Sequence, residues 1–257
     1  MTVKTSTLPF RYDQVGSLLR SSNLVQAREQ YKAGAITQNQ LINVENNEII
    51  RLIEKQKENG VLAITDGEFR RSWWHFDFLG GLDGVEYYEK EKGLEFHQME
   101  TRKEGIRIIG EIGFTTHPFV QHFEFLKQHA GEAVVKQTIP SPNMLIRRVD
   151  MNEEVYQDKE EFKQDIIVAY QNAIQAFYDA GCRYLQLDDT AWADLFSEEG
   201  HEKLRAKGLD PAEELVLMQQ MINESIANKP EDLTVTMHIC RGNYKSNYFT
   251  SGGYDYA

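Results

Sequence analysis

From Gln38 to Asn59 the apolar residues Leu41, Ile42, Ile49, Ile50, Leu52 and Ile53 recur at helical spacing among charges. Thr37 can cap this segment and Gly60 can end it, so the pattern predicts a long amphipathic helix. A shorter helix is predicted from Ser22, as its cap, to about Lys32, with Gly34 where such helices stop. The period then changes. Val61 to Thr65 (VLAIT) is a short apolar run with a β-branched residue at each end, the composition of a strand buried on both faces. The same grammar predicts strands over Ile106–Ile112, Ala133–Thr138, Tyr184–Leu187 and Leu233–Met237, and helices over Glu160–Ala180 and Pro211–Ala227. Such alternation implies parallel strands joined by crossover helices, either an α/β barrel or an open doubly wound sheet. No Gly-x-Gly-x-x-Gly follows the first strand and no Walker-type loop occurs, which favours the barrel. The stretch around residues 80–105, rich in Tyr and Glu between Gly80 and Gly93, breaks the pattern and reads as an insertion within one domain over 1–257.

Composition narrows the partners. The 257 residues are 41% hydrophobic, enough for one sizeable core or two small ones. A formal net charge of -12 repels a phosphate backbone, which argues against nucleic acid. Only Cys182 and Cys240 occur, and the N-terminus lacks a basic-then-apolar leader, so a reduced, cytoplasmic protein is expected. The apolar runs are only a handful of residues, far below the roughly 20 that cross a bilayer, so no membrane partner is expected.

Several predicted strands end in polar groups that a buried strand would not otherwise choose. Val15 leads to Gly16-Ser17, the run ending at Thr65 leads to Asp66-Gly67-Glu68, Leu187 leads to Asp188-Asp189, and Met237 leads to His238-Ile239-Cys240. Active sites of parallel α/β folds form at the carboxyl ends of strands, so these groups should converge on one mouth. His238 and Cys240, two apart at a strand end, face the same way and together can grip zinc at about 2.0 and 2.3 Å. Taken singly, each has a plainer reading: a buried Cys beside a hydrogen-bonded His, or acids pairing with Arg70, Arg71 or Arg183. Cys182 precedes its strand and should lie at the opposite end. Trp73, Trp74, His75, Phe76 and Phe78 form an aromatic cluster after Glu68, either core or a stacking surface for a flat heterocycle.

The runs YDQVGSLLR (Tyr12–Arg20), ITDGEFRRSWWHFDF (Ile64–Phe78), LQLDDTAWADL (Leu185–Leu195) and MHICRGNY (Met237–Tyr244), in this order, resemble the catalytic barrel of cobalamin-independent methionine synthase, and more closely its single-barrel bacterial relatives. The resemblance implies a TIM (β/α)₈ barrel of the methionine synthase/uroporphyrinogen decarboxylase type. It implies a zinc cofactor, homocysteine as substrate and a methyl donor, 5-methyltetrahydrofolate in polyglutamate form. The family's homocysteine-binding element falls on Val15, Gly16 and Ser17, with its glutamate on Glu68 and its aspartate on Asp188. A folate-contacting acid falls on Asp194, and the zinc-binding pair on His238 and Cys240. Three departures stand out. The family's tryptophan after its central Gly-Pro element is missing, since Ser141-Pro142 leads instead to Arg147 and Arg148, and Asp189 and Thr190 replace a Glu and a Pro. The homocysteine elements are intact, whereas those used for methylfolate are altered.

The family's other zinc ligands and its catalytic histidine would lie beyond Ala257, and about six strand-like runs fall short of the eight of a full barrel. An incomplete barrel is therefore expected. The implied reaction is methyl transfer to the homocysteine thiol. Another methyl donor is an alternative, as is a non-catalytic zinc- or ligand-binding barrel. A metal-free tetrapyrrole decarboxylase is a third reading, against which His-x-Cys argues.

Overall fold

The computed structural model describes residues 8–10, 12–93, 95–96, 99–244 and 246–254. Helices α1 (Ser22–Lys32) and α2 (Gln38–Glu58) precede the short strand β1 (Ala63–Ile64). Then come α3 (Phe76–Leu79), β2 (Asp83–Glu89), β3 (Glu95–Phe96), β4 (Met99–Glu100) and β5 (Glu104–Gly113). The middle of the chain forms α4 (Pro118–Ala130), β6 (Val134–Pro140), α5 (Pro142–Arg148) and β7 (Val149–Asp150). The rest forms α6 (Lys159–Asp179), β8 (Tyr184–Asp189), a 3₁₀ turn over Ala191–Leu195, α7 (Glu198–Ala206), α8 (Pro211–Ile226), β9 (Thr234–Ile239) and a hairpin of β10 (Asn243–Tyr244) and β11 (Asn247–Tyr248).

The helices start where local chemistry lets them. Thr37 and Gln40 form a reciprocal capping box on α2, and Gly60, at φ +72°, releases the chain beyond it. Ser21 rather than Ser22 caps α1, its side chain accepting from the Leu24 amide at 3.1 Å. Asp158 caps α6, and Asp210 with Pro211 starts α8.

Strands β1, β6, β8 and β9 lie side by side in chain order, all parallel, separated by helices. This is the arrangement of a barrel wall, and among the described residues it does not close on itself. The strands are two-sided in character. Leu185, Leu187, Val135 and Ile139 join the apolar core with α6 residues such as Ile166, Tyr170 and Phe177. The alternate residues Lys136, Thr138, Tyr184, Gln186 and Asp188 form a buried polar face. The N-terminal segment lies against that face. Lys136 Nζ reaches Asp13 Oδ1 at 3.0 Å and the Gln14 carbonyl at 2.9 Å, the Tyr184 hydroxyl bonds Asp13, and Gln186 Nε2 donates to the Val15 carbonyl at 2.7 Å. Without those partners a buried ammonium would be prohibitively costly.

One predicted strand belongs elsewhere. Ile106–Ile112 lies within β5, which pairs antiparallel with β2 and parallel with β7 in a separate three-stranded sheet. The expected insertion is thus a sheet excursion that includes β5. The reason is visible in the alternation: Ile106 and Ile108 are buried while Arg107, Ile109 and Glu111 face outward, a one-sided strand rather than one covered on both faces.

Below this excursion His117 is fixed as a neutral ring. Its Nε2 donates to the Phe78 carbonyl at 2.9 Å and its Nδ1 accepts from the Phe119 amide at 3.1 Å. Burial pushes its pKa down to about 4, and burial with the charges of Arg70 and Arg71 pushes His122 down to about 3. A histidine depressed by folding contributes stability that is present above its unfolded pKa of about 6.5 and is lost as pH falls toward the folded value. Thermal melting should therefore drop between pH 6.5 and 4, by on the order of 3 kcal/mol for His117 at about 1.4 kcal/mol per unit. His117→Gln should flatten that slope in a pH series of melts; an unchanged slope would reject the assignment.

Candidate active site at the strand ends

The loop after β1 carries Glu68 in an uncommon backbone conformation. Gly67 (φ 63°) and Glu68 (φ 58°) are both left-handed, and the Asp66 carboxylate accepts from the Glu68 amide at 2.8 Å to hold the turn. Arginines staple this loop through its carbonyls. Arg20 donates to the Glu68 and Arg71 carbonyls at 2.7 and 2.8 Å, and Arg28 donates to those of Phe69 and Arg71. The Glu68 carboxylate is buried and accepts from Ser17 Oγ at 2.5 Å, Thr138 Oγ1 at 3.2 Å and Arg71 Nη1 at 3.2 Å. The ion pair with a neighbouring base thus exists, through Arg71, and it coexists with a place at the mouth.

Asp188 and His238 stand in register on adjacent strands, which brings His238 Nδ1 to 3.0 Å from Asp188 Oδ1. Gln186 Nε2 donates to the same oxygen at 2.6 Å, leaving Oδ2 without a partner among the described residues. Burial pushes the Asp188 carboxyl up, while the hydrogen bond to Asp188, then that to Cys240, holds the His238 imidazole up at about 9. The Cys240 amide continues the ladder to the Asp189 carbonyl at 2.8 Å, and the Gly242 amide donates to Cys240 Sγ at 3.3 Å. The hydrogen bond from His238 pulls the Cys240 thiol below its ordinary pKa. Cys182, before β8, is sealed in the core, and burial pushes it up to about 11.

Val15, Gly16, Ser17, Glu68, Asp188, His238 and Cys240 line one cavity of about 740 Å³. Trp73, Trp74, His75, Arg102 and Arg148 line it too, while Phe76 and Phe78 of the aromatic cluster go to the core. Asp194, on the 3₁₀ turn, is not among the lining residues; its charge acts on Arg148. Asp189 is fully buried and accepts from Ser141 Oγ (2.6 Å), Asn143 Nδ2 (3.0 Å), the Ala191 amide (2.6 Å) and Trp192 Nε1 (3.0 Å), which makes it an architectural anchor. Sequence reasoning missed Thr138 and Arg20, which meet the loop only through the fold.

His238 and Cys240 fit zinc in donor type. A ring nitrogen oriented by a carboxylate on its other side, next to a thiol biased toward thiolate, is what zinc ligands require. They supply two donors, and no group of three or more His, Cys, Asp or Glu suited to a metal occurs among the described residues.

Parallel strands in chain order, with acid, hydroxyl, imidazole and thiol gathered at their carboxyl ends, define an α/β catalytic domain of the barrel-wall type. The chain belongs to the cobalamin-independent methionine synthase family, whose catalytic-domain model matches residues 11–249. It is 54% identical to the uncharacterized protein YxjG of Bacillus subtilis over 97% of this chain and 66% of that protein, and 51% identical to YxjH of the same organism over 99% and 67%. The chain thus spans about two thirds of the length of these relatives. A methionine synthase of Saccharolobus solfataricus is 24% identical over 90% of this chain and 62% of that protein. Among solved structures, a candidate vitamin-B12-independent methionine synthase from Listeria monocytogenes is 49% identical with a TM-score of 0.77, covering 92% of this chain and 67% of that one. A B12-independent methionine synthase from Shewanella in complex with selenomethionine shares the fold at TM-score 0.62 and 17% identity, over 82% of this chain and 56% of that one. No helix among the described residues is long and apolar enough to cross a membrane.

Proposed function

We propose that this chain carries the acceptor half of a zinc-dependent methyltransferase site that converts homocysteine to methionine, with 5-methyltetrahydrofolate polyglutamate as first candidate donor. The observation that carries this reading is the meeting of Ser17, Glu68, Asp188, His238 and Cys240 in one cavity. Glu68 and Asp188 give buried carboxylate oxygens suited to an ammonium group, and Ser17 gives a hydroxyl beside them. Held so, the amino-acid end of homocysteine directs its sulfur toward the His238–Cys240 end of the mouth, which turns an encounter into an oriented attack. Zinc held by His238 and Cys240 would supply deprotonation of the incoming thiol, whose free pKa is about 8.5. In the transfer, sulfur forms a bond to the methyl carbon as the donor's bond to that carbon breaks, and the leaving group takes up a proton.

Methionine formation by the intact protein from homocysteine and each of several donors, followed by mass spectrometry, tests the reading. Absence of methionine with every donor, in zinc-loaded protein, would favour a non-catalytic binding barrel. Glu68→Gln keeps the shape of the side chain but removes the charge that meets the ammonium. It should raise the homocysteine KM about 10- to 100-fold, the worth of one charged hydrogen bond. An unchanged KM would remove Glu68 from the acceptor site.

A further inference from the structure

Each arginine at the cavity has its charge spoken for, except one. Arg20 is tied to two carbonyls; Arg102 pairs with Glu104 at 3.2 Å, donates to Ser72 and lies 4.5 Å over the Trp73 ring. Arg148, at the C-terminal end of α5, makes no hydrogen bond and no ion pair among the described residues, and its Nε is sealed from solvent without a partner. Its neighbour Arg147 points away to Glu214 at 2.6 Å. Asp194 and Asp189 reach Arg148 only through space, and Asp189 is already satisfied by four donors.

A second unspent group stands beside it. His75 is buried, its Nδ1 has no partner, and burial together with the Arg148 charge keeps the ring neutral, so it retains a proton to donate and repels no anion. The ring is stacked on Trp73 (5.6 Å, 16°) and set edge-on to Trp74 (4.6 Å). Buried polar groups are mostly paired in native folds, and Arg148 and His75 both line the cavity with such an atom unpaired. Of the cavity's acids, Glu68 pairs with Arg71, Asp188 with His238 and Asp189 with four donors, which leaves Arg148 as a cation with no ion-pair partner among the described residues. A cationic sulfonium donor would be repelled by Arg148, whereas an oxyanion would gain a charge-assisted pair.

We propose that Arg148, with His75, receives an oxyanion, carboxylate or phosphate, carried by the methyl donor, against the Trp73–Trp74 wall. This rests on the methyl-transfer reading above, in that it names the donor's chemical class. The test is titration of the intact protein, followed by tryptophan fluorescence or calorimetry at constant ionic strength, with glutarate and inorganic phosphate as separate probes and homocysteine as a third. Saturable binding of at least one anion is expected, and the better anion identifies the group. Arg148→Gln should weaken it about 10-fold or more, as loss of a charged pair does, and Arg148→Lys should recover part of the loss. Homocysteine affinity should stay within about twofold in both variants, since the residues proposed to anchor it make no hydrogen bond or ion pair with Arg148. No saturable binding of either anion, or equal binding by wild type and Arg148→Gln, overturns the proposal. So does a parallel loss of homocysteine affinity, which would place the acceptor's carboxylate there instead. If the wild type binds the anion through Arg148 but not homocysteine, the acceptor reading fails and the oxyanion site stands.

Discussion

Cys240→Ser in the intact protein should weaken zinc retention by on the order of 100-fold or more, the share of one ligand in a total of about 10–16 kcal/mol. The thiol lines the cavity, is biased toward thiolate by His238 and has a backbone donor from Gly242 on its sulfur. A serine hydroxyl has none of the softness or acidity that zinc selects. Cys182→Ser is the control. That sulfur is buried, raised to about 11 and bonded at 3.3 Å to the Tyr184 carbonyl, so its replacement should cost packing and leave the metal in place. Zinc measured against a competing chelator decides. Retention by Cys240→Ser, or equal loss in both variants, would remove Cys240 from the metal site.

The second large effect concerns stability. Asp189→Ala should destabilise the fold by about 4 kcal/mol and lower the melting temperature by roughly 10 °C, at about 2–4 °C per kcal/mol for a chain of this size. The change deprives Ser141, Asn143, the Ala191 amide and Trp192 of one acceptor. These donors come from the turn into α5 and from the 3₁₀ turn, so both would loosen. Each orphaned buried donor costs about 1–3 kcal/mol, partly relieved by relaxation. A melt within about 3 °C of wild type would show that water or a neighbour substitutes for the carboxylate.

Strands β1, β6, β8 and β9 were legible from short apolar runs bounded by helical periodicity, and the polar residues after them marked the mouth. Ile106 to Ile112 reads as one more apolar run like the barrel strands, but the alternation of Arg107, Ile109 and Glu111 with buried neighbours marks a single buried face, and β5 lies in the excursion. The contact between Asp188 and His238 depends on strand register, which no local pattern reveals. The family resemblance implies a substrate contact for Asp188, whereas the register shows it holding the His238 imidazole. The same limit hid the polar inner face of β6 and β8, whose Lys136 and Gln186 make sense only once the N-terminal segment lies against them. Arg148 showed in the sequence as the loss of a tryptophan, but its lack of a partner is a fact of three dimensions.

The residues that line the cavity are built in with different degrees of commitment. Ser17, Glu68 and Asp188 are wired into hydrogen bonds with the loop, the sheet and the N-terminal segment, so a substitution there disturbs several elements together. Arg148 and the Nδ1 of His75 hold nothing else in place. Drift at Arg148 and His75 Nδ1 breaks no hydrogen bond among the described residues, and drift at Ser17, Glu68 or Asp188 breaks several. Divergence between relatives of this scaffold should therefore concentrate on Arg148 and its surroundings rather than on the loop around Glu68.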